Sequence, residues 1–142
     1  MPYPLLGNRI SFLFRKELHA RLLTEDMDIR GEEFAILTQL WRQPGQTPSA
    51  LADKTIRDRT TVTRLLDGMV KKALVVREVD PDDRRRVIVN PTKQSILLQA
   101  KIMPIVQGLI ASTMEGITEA DAETARLVLS KLTENLLELR NH

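Results

Sequence analysis

The sequence contains no cysteine. That excludes disulfides, thiolate catalysis, thiol redox sensing and the Cys-rich kinds of zinc site. Its two histidines, His19 and His142, stand too far apart in the chain to suggest a metal site. No uninterrupted apolar run reaches the roughly 18–20 residues that span a bilayer, so no membrane partner is expected. The opening Met1-Pro2-Tyr3-Pro4 lacks the basic and apolar regions of a signal peptide, and the expectation is a soluble cytoplasmic protein. There is no phosphate-binding glycine loop, and Ser11, Ser49, Ser95, Ser112 and Ser130 sit in no nucleophile-elbow pattern. The carboxylates fall mostly at helix starts or beside cations. Neither catalysis nor a cofactor is expected. Internal repeats and low-complexity stretches are also missing.

What is there is a core and an uneven distribution of charge. With 142 residues, 42% of them apolar, the chain fits one ordinary domain, or a small module with dimerising extensions. The net charge is only +2, but its placement is informative. Residues 1–52 carry six basic and six acidic side chains, residues 53–93 eleven and seven, and residues 94–142 four and six. The positive excess is therefore local. Such an excess marks a nucleic-acid surface only when the fold around it agrees.

The apolar spacing predicts a helix over 5–23, from Leu6, Ile10, Leu13, Phe14, Leu18 and Leu22, and a second over 31–41, from Phe34, Leu37, Leu40 and Trp41. Pro44-Gly45 ends the second. Thr47-Pro48 starts a short third helix to about Lys54, with Thr47 as cap and Pro48 at the first helical position. A turn follows, and Asp58 is the next N-cap, opening a fourth helix to about Lys72. Two valine- and isoleucine-rich strands follow, over 75–79 and 86–89, joined by the polar loop Asp80-Pro81-Asp82-Asp83-Arg84-Arg85. Pro91-Thr92 starts a long helix to about Glu115, which Pro104 should kink near Met103. Thr118 and Asp121 form a capping-box-like pair before a last helix to about Arg140, with Ala125, Val128, Leu132, Leu136 and Leu139 along one stripe.

The fourth helix carries the chemistry. Val62, Leu65, Leu66, Met69 and Val70 recur as one buried face. The opposite face then carries Thr60, Thr63, Arg64, Asp67 and Lys71. Short hydroxyls near the N-terminus let a helix sit deep in a major groove, and an arginine there can grip guanine O6 and N7 together. The helix N-terminus also favours a phosphate. A short helix before it and a basic hairpin after it complete a helix-turn-helix with a wing.

From Gly31 to about Thr92 the chain resembles the MarR family of winged-helix transcription regulators. The matching stretches are Thr47-Pro48-Ser49-Ala50-Leu51-Ala52, Asp58-Arg59-Thr60-Thr61-Val62-Thr63-Arg64-Leu65-Leu66-Asp67, Lys71-Lys72-Ala73-Leu74-Val75, Asp80-Pro81-Asp82-Asp83-Arg84-Arg85 and Val87-Ile88-Val89-Asn90-Pro91-Thr92. The fold expected is mainly α with a small β-hairpin wing, a winged helix-turn-helix flanked by helices that form a dimerisation region. The resemblance implies a dimerisation helix over 1–30, a DNA-binding lobe over 31–92 and dimerisation helices over 93–142. It implies a homodimer on an inverted-repeat operator, with repression a family-level expectation. It also implies a small aromatic or phenolic effector between the dimerisation helices and the lobe; the sequence does not identify it.

Candidate DNA contacts are Thr47, Ser49, Arg57, Arg59, Thr60, Thr61, Thr63, Arg64 and Lys71, with Arg84, Arg85 and Arg86 on the wing. Arg85 is the first choice for the minor groove, where a guanidinium reads shape. Asp83 is expected to brace an arginine. Thr47 is either a phosphate contact or only a cap. His19 is a pocket residue or an ordinary surface histidine, and Met103 and Met114 fill core gaps. The chain departs from the family at Ile56, Ala73 and Ser95, where glycine is common, at Arg57, usually apolar, and at Pro91, usually leucine. Ile56 can pack inward, but it implies a different turn geometry from the glycine usual there. A competing reading makes the lobe a protein-interaction module, or the dimer an architectural DNA binder with little sequence preference.

Overall fold

The computed structural model describes residues 2–141. Among them the chain forms α1 (Tyr3–Thr24), α2 (Gly31–Arg42), α3 (Pro48–Thr55), α4 (Arg59–Lys71), β1 (Val75–Val79), β2 (Val87–Pro91), α5 (Lys93–Thr113) and α6 (Glu119–Arg140). The strands pair antiparallel, from Val75 opposite Pro91 to Val79 opposite Val87. The chain divides into two compact units, one through Val106 and one from Gln107.

The first unit holds the core. Leu18 and Leu22 of α1, Ile36, Leu37 and Leu40 of α2, Leu51 of α3, Val62, Leu66 and Met69 of α4, and Val75 and Val89 of the hairpin are all buried. Each such side chain contributes about 1.5–3 kcal/mol by leaving water. The apolar stripe of α1 is only half used. Leu18 and Leu22 pack, while Leu6, Ile10 and Leu13 are exposed.

Two close approaches shape this unit. Where α1 crosses α2, a Cβ on Gly31 would lie 2.6 Å from Arg15 Cβ and 2.9 Å from its Cα, so only glycine fits. Arg15 Nε is 2.8 Å from Glu32 Oε1 beside that crossing. In the turn between α3 and α4, Ile56 adopts φ 54° and ψ 47° and is 57% exposed. Its side chain does not pack inward, and the turn geometry is the altered one. A left-handed backbone turns its side chain out, at a steric cost that glycine escapes.

The wing departs slightly from expectation. Its second strand starts at Val87 and includes Pro91, which the sequence reading placed at the start of the next helix. Proline is tolerated on an edge strand because no ladder donor is required of it. Thr92 closes the hairpin base instead, its N–H donating to Leu74 O and its hydroxyl to Ala73 O. Thr92 Oγ1 also accepts from Ser95 N and so caps α5. α5 continues through Pro104 to Thr113. By length and composition this helix is apolar enough to cross a bilayer, with mean hydropathy 1.4 over its most apolar window. The reading of uninterrupted runs missed this because Lys101 and the glutamines break the runs without lowering the average far. A core helix of a soluble protein meets the same criterion.

In the second unit, Thr118 Oγ1 accepts from Asp121 N and caps α6. The stripe of α6 is present but not covered. Val128, Leu136 and Leu139 are exposed, and Leu132 is half-buried.

Gly31 and Ile56 give opposite predictions in one experiment. Gly31→Ala is expected to lower the unfolding free energy by about 1–3 kcal/mol, as overpacking does. Ile56→Gly is expected to leave it unchanged or raise it by up to about 1 kcal/mol, the relieved strain outweighing the entropy glycine adds to the unfolded chain. Urea titration of both variants against the parent checks both signs.

Candidate nucleic-acid interface

Burial fixes which face of α4 points outward. Val62, Leu66 and Met69 have no exposure, and Leu65 is half-buried. Val70 is 39% exposed, which corrects the expectation of a buried face that includes it. At 100° per residue, Leu65 and Val70 flank the buried row on opposite sides, and only the Leu65 side is well covered. Thr60, Thr63, Arg64, Asp67 and Lys71 are all exposed. Arg59, Thr60, Thr63, Arg64 and Asp67 together line one shallow open depression.

The start of α4 is set by Asp58, whose Oδ1 accepts from Thr61 N at 2.6 Å. One of the N–H groups expected to favour a phosphate is thus already used, and Thr61 is half-buried. Hydrogen bonding to Thr61, assisted by the charge of Arg64, holds the Asp58 carboxyl below its ordinary value of 3.8. Thr47 caps α3 in the same way, accepting from Ala50 N, and its hydroxyl proton remains free to donate. Ser49 is exposed beside it.

The wing is rooted by Val75 and Val89 and is tied to α4 by Arg77. The Arg77 guanidinium donates to Asp67 Oδ1 and, at 3.3 Å, to Thr63 O. Arg84, Arg85 and Arg86 are exposed at its tip. Asp83 braces Arg85 as expected, its Oδ1 accepting from Arg85 N at 3.0 Å and from Arg85 Nε at 3.3 Å. Arg86 Nε lies 3.8 Å from Asp80 Oδ2.

Arg57 is placed elsewhere. It is half-buried, its Nε has no hydrogen-bond partner, and it lines a groove of about 410 Å³ between α1, α2 and α3. Phe14, Leu18 and Phe34 give that groove apolar walls, and Arg42 and Lys54 join Arg57 in supplying positive charge. His19 lies on a smaller cavity of about 190 Å³ with Arg15, Lys16 and Arg30. Its Nε2 is hydrogen-bonded to Asp28 Oδ1 at 2.9 Å.

Sequence reasoning missed Arg77, although its place between Val75 and Val79 in an alternating strand puts it on the face toward α4. It also missed Gln46. This buried residue exchanges backbone hydrogen bonds with Val89 and donates from Nε2 to Gln39 O and Gln43 O, fastening the wing to the loop after α2.

A buried helix row, an outward polar face at the N-terminal end and a basic hairpin define a winged helix-turn-helix of the DNA-binding kind. Residues 31–87 match the model of the MarR family. The chain is 26% identical over 109 residues to the HTH-type transcriptional regulator MhqR of Bacillus subtilis, covering 77% of this chain and 75% of that one. It superposes on the S. aureus MepR–DNA complex with a TM-score of 0.85 at 27% identity, covering 96% and 99% of the two chains. A MarR variant from E. coli complexed with operator DNA gives a TM-score of 0.84 at 25% identity, over 93% and 94%. Residues 31–87 thus carry a MarR-type domain, and over most of its length the chain is similar to transcriptional regulators of that family, which are not enzymes.

The Asp58 cap makes the start of α4 acid-sensitive. A carboxyl whose folded value is depressed contributes stability that is fully present above its unfolded value and is lost as pH falls through the folded one. The melting temperature of the parent is therefore expected to fall more steeply below pH 3.8 than that of Asp58→Asn, whose amide caps without titrating. Equal slopes in a pH series of melts would contradict this role.

Proposed function

We propose that this regulator binds an inverted-repeat operator as a homodimer in the cytoplasm and represses transcription there. The observation that carries the reading is the depression formed by Arg59, Thr60, Thr63 and Arg64 opposite the buried row of α4. In this reading Thr60, Thr63 and Arg64 meet base edges, while Arg59, Thr61 and Lys71 lie along the phosphates. Thr47 and Ser49 donate to the backbone from the start of α3. Arg84, Arg85 and Arg86 enter or border the minor groove, with Arg85 held ready by Asp83. Arg57, on its groove, serves the DNA backbone less directly than the others.

Residues 1–30 and 93–142 are the dimerisation segments and residues 31–92 the DNA-binding lobe. The exposed Leu6, Ile10 and Leu13 of α1 and Val128, Leu136 and Leu139 of α6 support this, since apolar surface of that extent usually marks an interface. Two lobes so paired present their α4 helices to successive major grooves, about 10 bp apart. The groove with apolar walls and the cations Arg42, Lys54 and Arg57 suits an aromatic carboxylate or phenol as effector. A ligand there acts on operator affinity by favouring one arrangement of the lobes, and a coupling of about 1–3 kcal/mol changes that affinity roughly 5–150-fold.

The test is selection of an operator by the parent from a random-sequence duplex library, followed by titration at two salt concentrations with and without a hydroxybenzoate. A regulator keeps a large ratio of specific to random binding; a ratio near one would establish an architectural binder instead. Arg64→Ala is expected to lose about 1–3 kcal/mol on the selected site and to relax preference at one position. Arg85→Ala is expected to weaken binding more evenly across sequences and to reduce the salt slope by about one. Both variants binding as the parent does would show that α4 and the wing are not the DNA-reading parts.

A further inference from the structure

Lys72 caps the C-terminal end of α4, and its ammonium group reaches away from the depression, toward α2. Nζ donates to Glu33 Oε1 at 2.8 Å and lies 3.8 Å from Asp28 Oδ2. The Glu33 side chain is only 4% exposed, and its Oε1 also accepts from Arg30 N at 2.9 Å. Its other oxygen lies over α4, 3.7 Å from where a Cβ on Gly68 would be. Asp28 in turn bonds His19 of α1. An unbroken chain of polar contacts thus runs from α1 through the loop before α2 to the last turn of the reading helix.

Hydrogen bonding from His19, and then the charge of Lys72, holds the Asp28 carboxyl below its ordinary value. A buried carboxylate left without a cation is costly, so Lys72 is confined to this position. Yet a buried ion pair is a weak stabiliser, often no better than two apolar side chains in its place. What it supplies is a fixed geometry, because the charges must meet.

We propose that Lys72 is a positioning residue: by fastening the end of α4 to Glu33 and, through Asp28 and His19, to α1, it sets the separation of the two reading helices and so selects the spacing of operator half-sites. This rests on the two-half-site reading given above, in which α1 belongs to the dimer interface. One inserted base pair rotates a half-site by about a tenth of a turn, which a rigid tie resists and a loose one absorbs.

The experiment uses the operator the parent selects, the same operator with its centre lengthened or shortened by one base pair, and a duplex holding one half-site. The proteins are the parent, Lys72→Arg, Asp28→Ala and the double variant Glu33→Gln with Lys72→Met, which removes the buried carboxylate and its cation together. The double variant is expected to bind the single half-site within about threefold of the parent but the full operator about tenfold more weakly, with its preference for native spacing lost. Lys72→Arg is expected to keep the parent's profile. If the double variant does not fold, Asp28→Ala decides, because it cuts the link to α1 at an exposed side chain and is expected to flatten the spacing preference alone. A folded variant that retains the parent's spacing preference overturns the proposal while leaving the operator reading intact. A parent with no spacing preference overturns both.

Discussion

Val62, Leu66 and Met69 are fully buried within two turns of α4, and together they leave that helix one orientation about its axis. Rotating it by a single residue position would draw these three side chains out, at about 1.5–3 kcal/mol each. It would also turn charged groups of the outer face toward the core. No surface pair on that face could offset such a loss, since exposed ion pairs contribute about 0–1 kcal/mol. Packing therefore decides where Thr60 and Arg64 point, and the caps at Asp58 and Lys72 decide where the helix begins and ends.

The wing obeys a second constraint, that its root must be fixed while its tip stays free to meet a partner. Val75 and Val89 bury the root, Gln46 pairs with Val89 across the loop after α2, and Arg77 ties β1 to Asp67 and Thr63 O. Arg77 is cationic and beside the interface, yet it is spent on holding two elements together. The tip has no such anchor into the core. Among the described residues Asp83 steadies Arg85 and Asp80 steadies Arg86, both at the exposed tip, so these arginines keep their charge near the surface of the lobe.

Much of this was readable before any coordinates. The period of the apolar residues in α4 named its outer face, and Thr47, Asp58 and Thr118 were recognisable as caps because a short oxygen before a helix has little else to do. The valine-rich strands and the polar loop between them announced the hairpin. Periodicity reports which side of a helix is apolar, however, and not what covers it. That is why Val70 was expected to be buried in the same sense as Leu66, and is not. Contacts between distant positions left no local trace at all: Lys72 and Glu33 meet across α2 and α4, and Gln46 meets Val89 with the whole of α4 between them in the chain. Ile56 shows the remaining failure, a backbone conformation the residue type argues against, imposed by the need to turn between two packed helices.

The exposed apolar residues of α6 bear on what kind of surface covers them. Leu127, Val128 and Leu129 are consecutive and exposed, so they look outward in more than one direction, and Leu136, Leu137 and Leu139 repeat the pattern near its end. Just before the first group stand Glu123 and Arg126, paired at 2.6 Å, and between the two groups Lys131 with Glu134. Charges at that frequency are incompatible with the hydrocarbon of a bilayer, whereas they are ordinary at the rim of a protein interface. The same segment carries a slight acidic excess, four basic against six acidic side chains over 94–142, while residues 53–93 carry eleven against seven. Phosphates are therefore drawn to the lobe and not to the C-terminal helices. The division of labour proposed above, pairing by the outer helices and DNA binding by the lobe, is thus favoured by charge as well as by hydrophobicity.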